Sequence, residues 1–165
     1  FENFSGGWEL RNSFYKGSLQ KKDISIVNLN NENQNETGKR IVVFEGFMDA
    51  LSFVEMKPFF IGDLLVMNSI SLLNRTKEHL KIYSEIHLFL DNDKAGETCK
   101  NEILKSFPEA KNHSEIYALH KDLNEYFVFR NNTKIEKQQR IELNPKQEQE
   151  ENEINQAHQT YKRKR

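Results

Sequence analysis

One stretch constrains the fold more than any other. Ile41, Val42, Val43 and Phe44 form a short unbroken apolar run that ends at Glu45 and Gly46, after which Phe47, Ala50, Leu51 and Val54 recur at helical spacing. An unbroken run this short reads as a strand covered on both faces, the kind found in parallel sheets between helix layers. Pro58 stops the helix that follows, which spans about Phe47 to Met56. The pattern then repeats. Leu64–Met67 reads as a strand, with a helix after it marked by Leu72, Leu73, Leu80 and Ile82. Ile86–Leu90 reads as a strand, and Ala95, Ile103, Leu104 and Phe107 mark a helix that ends before Pro108. Ile116–Leu119 reads as a fourth strand, and a last helix begins over Leu123 to Phe129. Strands alternating with helices predict an α/β domain whose sheet, of about four strands, is mostly parallel and flanked by helices.

The acids fall at the ends of these strands. Glu45 closes the first, Asp91 and Asp93 close the third, and Asp122 lies just past the fourth. Open α/β sheets bind ligands in the crevice beyond the carboxyl ends of their strands. Asp49 lies one helical turn after Glu45 and can face the same crevice. In extended chain, residues two apart point the same way, so Asp91 and Asp93 should project together. Neighbouring carboxylates repel, and burying them without a counter-charge is costly. A hard divalent cation such as Mg²⁺ removes that cost, using one or two protein carboxylates with waters and substrate phosphates. Each element also has a plainer explanation. Glu45 and Asp49 suit the start of a helix, and Asp91–Asp93 suits a turn. Lys94 either neutralises phosphate or sits in solvent at a helix start. Asn68 and Ser69 can bond a phosphate or a metal-bound water, although Ser69 or Ser71 is also a ready helix cap.

Outside this core the pattern changes. Residues 1–23 interleave Phe4, Trp8, Phe14 and Tyr15 with Arg11, Lys16, Lys21 and Lys22. Such a mixture can stack bases and hold phosphates; alternatively it is a hairpin whose aromatics pack onto the domain. Ile24–Leu29 reads as a strand and Asn30–Gly38 as an exposed loop. Three regions follow: an N-terminal β-rich extension over 1–39, a core domain over 40–130, and a polar helix or disordered tail over 131–165 that ends in Lys162, Arg163, Lys164 and Arg165. The formal net charge of −1 announces no bulk basic field, although a site built on acids would mask a local basic groove in that sum. The single cysteine, Cys99, excludes an internal disulfide and fits a reducing, cytoplasmic setting; it reads as a packing residue. No apolar run is long enough to span a membrane. His79, His87, His113, His120 and His158 show no metal-ligand spacing. His87 reads as a core side chain, and His120 lies near the acids. A chain that begins with Phe1 is expected to be a fragment.

Glu45-Gly46-x-x-Asp49 after one strand, and Asp91-x-Asp93-x-Ala95-Gly96 after a later one, together resemble the Toprim domain of bacterial-type primases, topoisomerases, OLD-family nucleases and RecR-like proteins. Lys121-Asp122-Leu123-Asn124-Glu125 resembles the Lys-Asp-x-Asp-Glu stretch of primases, with the uncharged Asn124 in place of the second Asp. Gly6-Gly7-Trp8-Glu9-Leu10-Arg11-Asn12 resembles the segment before the Toprim domain in primase-like proteins of mobile genetic elements. The resemblance implies a Rossmann-like Toprim fold and metal-dependent primer synthesis. Glu45, Asp91 and Asp93 would be catalytic; with Asp49 and Asp122 they would hold Mg²⁺ or Mn²⁺. Lys94, Lys121, Ser69 and Arg11 are the phosphate- or nucleic-acid-binding candidates. The implied partners are a DNA template, nucleoside triphosphates, a replicative helicase and an upstream zinc-binding domain, with no membrane. Strand cleavage by a nuclease or topoisomerase, and a non-catalytic DNA-binding module, stay open as alternatives.

Overall fold

The computed structural model describes residues 1–11, 14–29 and 39–143. The expected Asn30–Gly38 loop and the basic end at Lys162–Arg165 lie outside these residues. The first compact unit runs from Phe1 to Phe127.

Its first two strands, β1 (Trp8–Arg11) and β2 (Lys16–Leu19), form an antiparallel hairpin with Trp8 opposite Leu19 and Arg11 opposite Lys16. Asn3 ties the hairpin's base together. Its side-chain oxygen accepts the Ser5 and Gly7 amides, and its Nδ2 donates to the Lys21 carbonyl. The aromatics of the N-terminal segment pack onto the domain only in part: Phe4 meets the His79 ring edge-on at 5.8 Å, with Arg75 over its face. Trp8, Phe14 and Tyr15 are exposed, because a ribbon of two strands has no second layer to bury them. Phe1 is different and stacks on Phe47, with centroids 5.4 Å apart.

The main sheet contains β3 (Ser25–Asn28), β4 (Arg40–Phe44), β5 (Asp63–Val66), β6 (Glu85–Phe89) and β7 (Lys111–Asn112). Its strand order is β3-β5-β4-β6-β7. All neighbours are parallel except β3, which runs antiparallel to β5 at one edge. The sheet is therefore mostly parallel, with five strands where four were expected. The helices are α1 (Phe47–Met56), α2 (Leu73–Leu80), α3 (Lys94–Ser106) and α4 (Leu123–Leu143).

Alternation along the strands divides the core into two faces. Ile41 and Val43 pack with Leu65, Leu80, Leu88 and Ile103 on the side of α2 and α3. Val42 and Phe44 pack with Phe53, Leu64, Val66, Phe89 and Tyr117 on the side of α1. Connectivity explains this placement. The chain leaves β4 through α1 toward β5, then returns past β4 through α2 to β6 and on through α3 to β7. Right-handed crossovers in opposite directions put their helices on opposite faces. The connections that leave β4 and β6 diverge, so a crevice opens between the carboxyl ends of these neighbours.

The expected strand at Ile116–Leu119 is not a strand. The fifth strand is β7, only two residues long, and Ser114–Tyr117 form a 3-10 turn. The sequence 116–119 is apolar but does not enter the sheet: Ile116 and Leu119 are exposed, and Tyr117 alone is buried. The Tyr117 hydroxyl donates to the Leu90 carbonyl at 2.9 Å. From Val128 onward the described chain is the remainder of α4, a helix whose Val128, Phe129 and Ile135 are exposed.

Candidate functional site

The crevice at the carboxyl ends of β4 and β6 is a cleft of ≈ 300 Å³. Glu45, Asp49, Asp91 and Asp122 line it, with Arg11, Lys22 and Lys121 as the cations and Asn68, Ser69 and Asn124 among the neutral polar residues. Acids from three separate parts of the sequence therefore meet at one rim.

Each acid is held by its own element. Glu45 follows β4 directly, and its carbonyl accepts the Asn68 amide at 3.1 Å, which extends the β4–β5 pairing to the rim. Gly46 is the N-cap of α1 with an ordinary extended φ of −124°. Its constraint is space, since an added Cβ would lie 3.2 Å from Asp49 Oδ2. Asp49 is 6% exposed, and its Oδ1 accepts the Asn124 amide at 3.0 Å. This bond joins the first turn of α1 to the first turn of α4. Burial, with Asp122 and Asp91 nearby, pushes the Asp49 carboxyl up to about 7, although the Asn124 amide acts in the opposite direction.

Asp91 and Asp93 are placed differently. β6 ends at Phe89, so strand alternation does not reach them. Asp91 lines the cleft, 4.0 Å from Lys121 Nζ through its Oδ2. Asp93 is the N-cap of α3, and its Oδ1 accepts the Ala95 and Gly96 amides, each at 2.9 Å. It does not line the cleft, which corrects the expectation that it projects alongside Asp91. Gly96 permits this geometry, since a Cβ there would lie 2.1 Å from the Asp91 carbonyl oxygen. Asp122 also caps a helix, with its Oδ1 accepting the Glu125 amide at 2.8 Å. Glu125 reaches back to accept the Lys121 amide at 2.6 Å, one residue before the partner a capping box would use.

The phosphate candidates divide in the same way. Arg11 and Lys121 line the cleft, whereas Lys94 is exposed at the start of α3 and does not. Ser69 lines the cleft and also caps the 3-10 turn at Ile70–Leu72. Asn124 uses its side-chain oxygen to accept the Ser52 hydroxyl at 3.1 Å. Cys99 is buried, and burial beside Glu45 and Asp93 pushes its thiol up to about 11, in keeping with a packing role.

Three residues take roles in three dimensions that the sequence only hinted at for Lys22 and Asn68 and did not signal for Asn92. Lys22 joins Arg11 in bringing positive charge from the N-terminal segment, and its place among cations and aromatics was the available signal. Asn68 adopts a left-handed φ of 60°, and its Nδ2 donates to the Asp23 carbonyl and the Ser25 hydroxyl, both at 2.9 Å. It thereby ties the start of β3 to the rim. Asn92 donates to the carbonyls of Ser114, Tyr117 and His120 at 3.4, 2.9 and 3.0 Å, which clamps the loop that carries Lys121 and Asp122. Its position between two aspartates gave no such signal.

The histidines also need correction. His87 is half-buried rather than a core residue. Its Nδ1 lies 2.8 Å from Nε2 of His113, a pairing invisible in sequence spacing. His120 packs against the ring of Tyr126.

Among the described residues no three His, Cys, Asp or Glu side chains stand close enough to cage a metal ion. The donor chemistry nonetheless fits a hard cation. Four carboxylates share a small cleft, and one of them is held protonated near neutrality by burial and its neighbours. An ion that takes one or two carboxylates and completes its shell with water and phosphate suits this arrangement.

Fold and site thus define a doubly wound α/β domain with an acidic cleft at its topological switch point. The chain belongs to the Toprim-like family, whose model matches residues 42–127. Its fold is similar to the primase fragment of the bacteriophage T7 primase-helicase protein, with a TM-score of 0.56 and 19% identity over 83% of this chain. The chain spans 59% of that fragment's length. A chain of the bacteriophage T7 lagging-strand DNA polymerase complex, in which primase domains bind an RNA/DNA hybrid and dTTP, matches at TM-score 0.47 and 24% identity over 61% of this chain and 53% of its own. A small Toprim domain protein from Bacillus stearothermophilus matches at TM-score 0.38 and 16% identity, over 59% of this chain and 88% of its own. No curated protein matches the sequence.

Proposed function

We propose that this domain is the catalytic part of a DNA primase, joining ribonucleotides on a DNA template by metal-dependent nucleotidyl transfer. The observation that carries the reading is the meeting of Glu45, Asp49, Asp91 and Asp122 with Arg11, Lys22 and Lys121 in one cleft. Neither set alone suits the reaction. Acids without cations would repel a triphosphate, and cations without acids would bind it without activating it.

Asp91 and Glu45 would hold Mg²⁺ or Mn²⁺, with Asp49 and Asp122 behind them. A bound ion of this kind would screen the phosphates and favour attack of a 3′ hydroxyl on phosphorus. Glu45 serves either as a ligand or as the base for that hydroxyl. Lys121, already drawn toward Asp91, would pair with a phosphate oxygen. Arg11 and Lys22 would grip the triphosphate or the template backbone. Asn92 positions Lys121 and Asp122, and Asn68 ties the start of β3 to the rim.

The test is template-directed ribonucleotide incorporation by the native protein that carries this chain. Asp91→Asn or Glu45→Gln should lower incorporation at least about a hundredfold while leaving the fold intact. Wild-type rates in these variants would overturn the proposal. Nicking of supercoiled plasmid without ribonucleotides would move the assignment to strand cleavage. Two tyrosines are already engaged: the Tyr117 hydroxyl is buried on the Leu90 carbonyl, and that of Tyr83 donates to Asp63 at 2.6 Å.

A further inference from the structure

A second groove, of ≈ 660 Å³, runs along the same strands on the side of α1, from Arg40 and Glu85 at their amino ends to Phe89. Arg40 and Val42 of β4, Glu85 and His87 of β6, and the segment after α1 line it, and it shares no lining residue with the acidic cleft. Nothing in the proposed chemistry uses it.

The floor is apolar, built from Val42, Phe53, Met56, Phe60 and Phe89. Part of the lip is apolar too. Phe59 is 93% exposed and Ile116 is 51% exposed. A folded surface seldom presents a large aromatic side chain so fully beside an apolar groove unless something covers it.

The charge of the groove is uneven. Glu85 is its one acid among the described lining residues, and Arg40 and Lys57 are its permanent cations. Glu85 is already saturated: Arg40 Nε lies 2.6 Å away, Lys111 Nζ 3.0 Å and His87 Nε2 3.1 Å. Those partners hold its carboxyl down at about 2, so it stays charged at any ordinary pH. Burial pushes the His87 and His113 imidazoles down, so they add little charge near neutrality, but Arg40, Lys57 and the neighbouring Lys111 against one carboxylate still leave a surplus of positive charge on the rim.

The inner rings argue against a nucleobase seated deep in the groove. Phe89 stacks on His113 at 4.8 Å, and His113 stacks on His87 at 5.0 Å. Their faces are occupied by one another, and Phe59 on the lip is a ring with open faces. Ring edges and a Met side chain suit aliphatic or aromatic side chains. An apolar centre inside a charged rim is the anatomy of a protein interface.

We propose that this groove docks an acidic peptide segment of a partner protein, with an apolar side chain seated on Phe53, Phe60 and Phe89 and carboxylates held by Arg40 and Lys57. Docking there leaves the acidic cleft open, so a partner can be held while the cleft is at work. The proposal does not depend on what reaction the cleft performs.

The experiment is fluorescence anisotropy on the full chain with a labelled short peptide that alternates Phe or Leu with Asp or Glu. A charge-reversed peptide with Lys in place of every acid is the control probe. Lys57→Glu and Phe59→Ser change exposed side chains, and unchanged circular dichroism will confirm their fold. The acidic probe should bind, the double variant should bind it about tenfold or more weakly, and Asp91→Asn should bind it as the wild type does. Equal binding of the Lys probe, or unchanged affinity in the double variant, would overturn the proposal. So would displacement of the probe by single-stranded DNA whose own binding falls in the same variant, since the groove would then be a nucleic-acid surface.

Discussion

Asp49 is almost fully buried, and its carboxyl has been pushed to about 7 by burial and by the negative charges around it. The folded state therefore holds a proton that the unfolded chain releases near its ordinary value of 3.8. Between those two values the native state binds more protons than the unfolded state, so stability falls as pH rises through that window. Asp49→Asn keeps an oxygen for the Asn124 amide and removes the charge. It should raise stability at pH 8 by on the order of 2–4 kcal/mol and remove most of the decline between pH 4 and pH 7, as read by denaturant melts across pH. A flat profile in the wild type would show that Asp49 is not perturbed. The same charge makes the cleft responsive to cations. Millimolar Mg²⁺ at pH 8 should raise the melting temperature of the wild type and raise that of Asp49→Asn by less. Asn92 sets a second residue-scale cost. Removing its three carbonyl contacts in Asn92→Ala should destabilise the chain by about 2–3 kcal/mol and lower incorporation more than stability alone explains, because Lys121 and Asp122 lose their anchor.

The start of α3 shows what an element demands of its sequence. Gly96 sits where a Cβ would run into the Asp91 carbonyl, so the helix can approach the β6 loop only with glycine there. Gly96→Ala should cost several kcal/mol, roughly 2–4 on the scale of overpacked cores, and should displace Asp91 from the cleft. Thermal melts and metal titration of that variant read the two effects separately. The elements that were legible in the sequence share a physical trait. β4, β6, α1 and α3 are covered on both sides or bury one continuous stripe, so their apolar residues follow a period. Ile116–Leu119 misled because it has the apolar content of a strand without the partner. Tyr117 is drawn inward by its bond to Leu90, and its neighbours are left in solvent. Asp93 misled because strand alternation was extended past the end of β6, where the chain had already turned to cap α3. Asn92 and the His87–His113 pair were not legible at all. Their partners lie more than twenty residues away, and no local period encodes contacts of that range.

At the scale of the molecule, the opposite directions taken by the connections that leave the parallel strands β4 and β6 create the cleft. In the proposed function, the acids at its rim and the cations of the N-terminal segment would make it selective for phosphates. If Arg11 and Lys22 grip a nucleic-acid backbone, the double variant Arg11→Ala with Lys22→Ala should weaken binding of single-stranded DNA regardless of sequence. It should also reduce the slope of log affinity against log salt by about 1. An unchanged slope would leave these side chains outside the interface. The central claim is that Glu45, Asp49, Asp91 and Asp122 act on one shared cation, and Mn²⁺ titration of the ¹⁵N-labelled chain tests it most directly. Paramagnetic broadening should appear first and together at the amides of residues 45–49, 91–93 and 122–124, and should disappear in Asp91→Asn with Glu45→Gln. Broadening that begins at Asp63 or Glu85, or that spreads evenly over the exposed acids, would contradict the account.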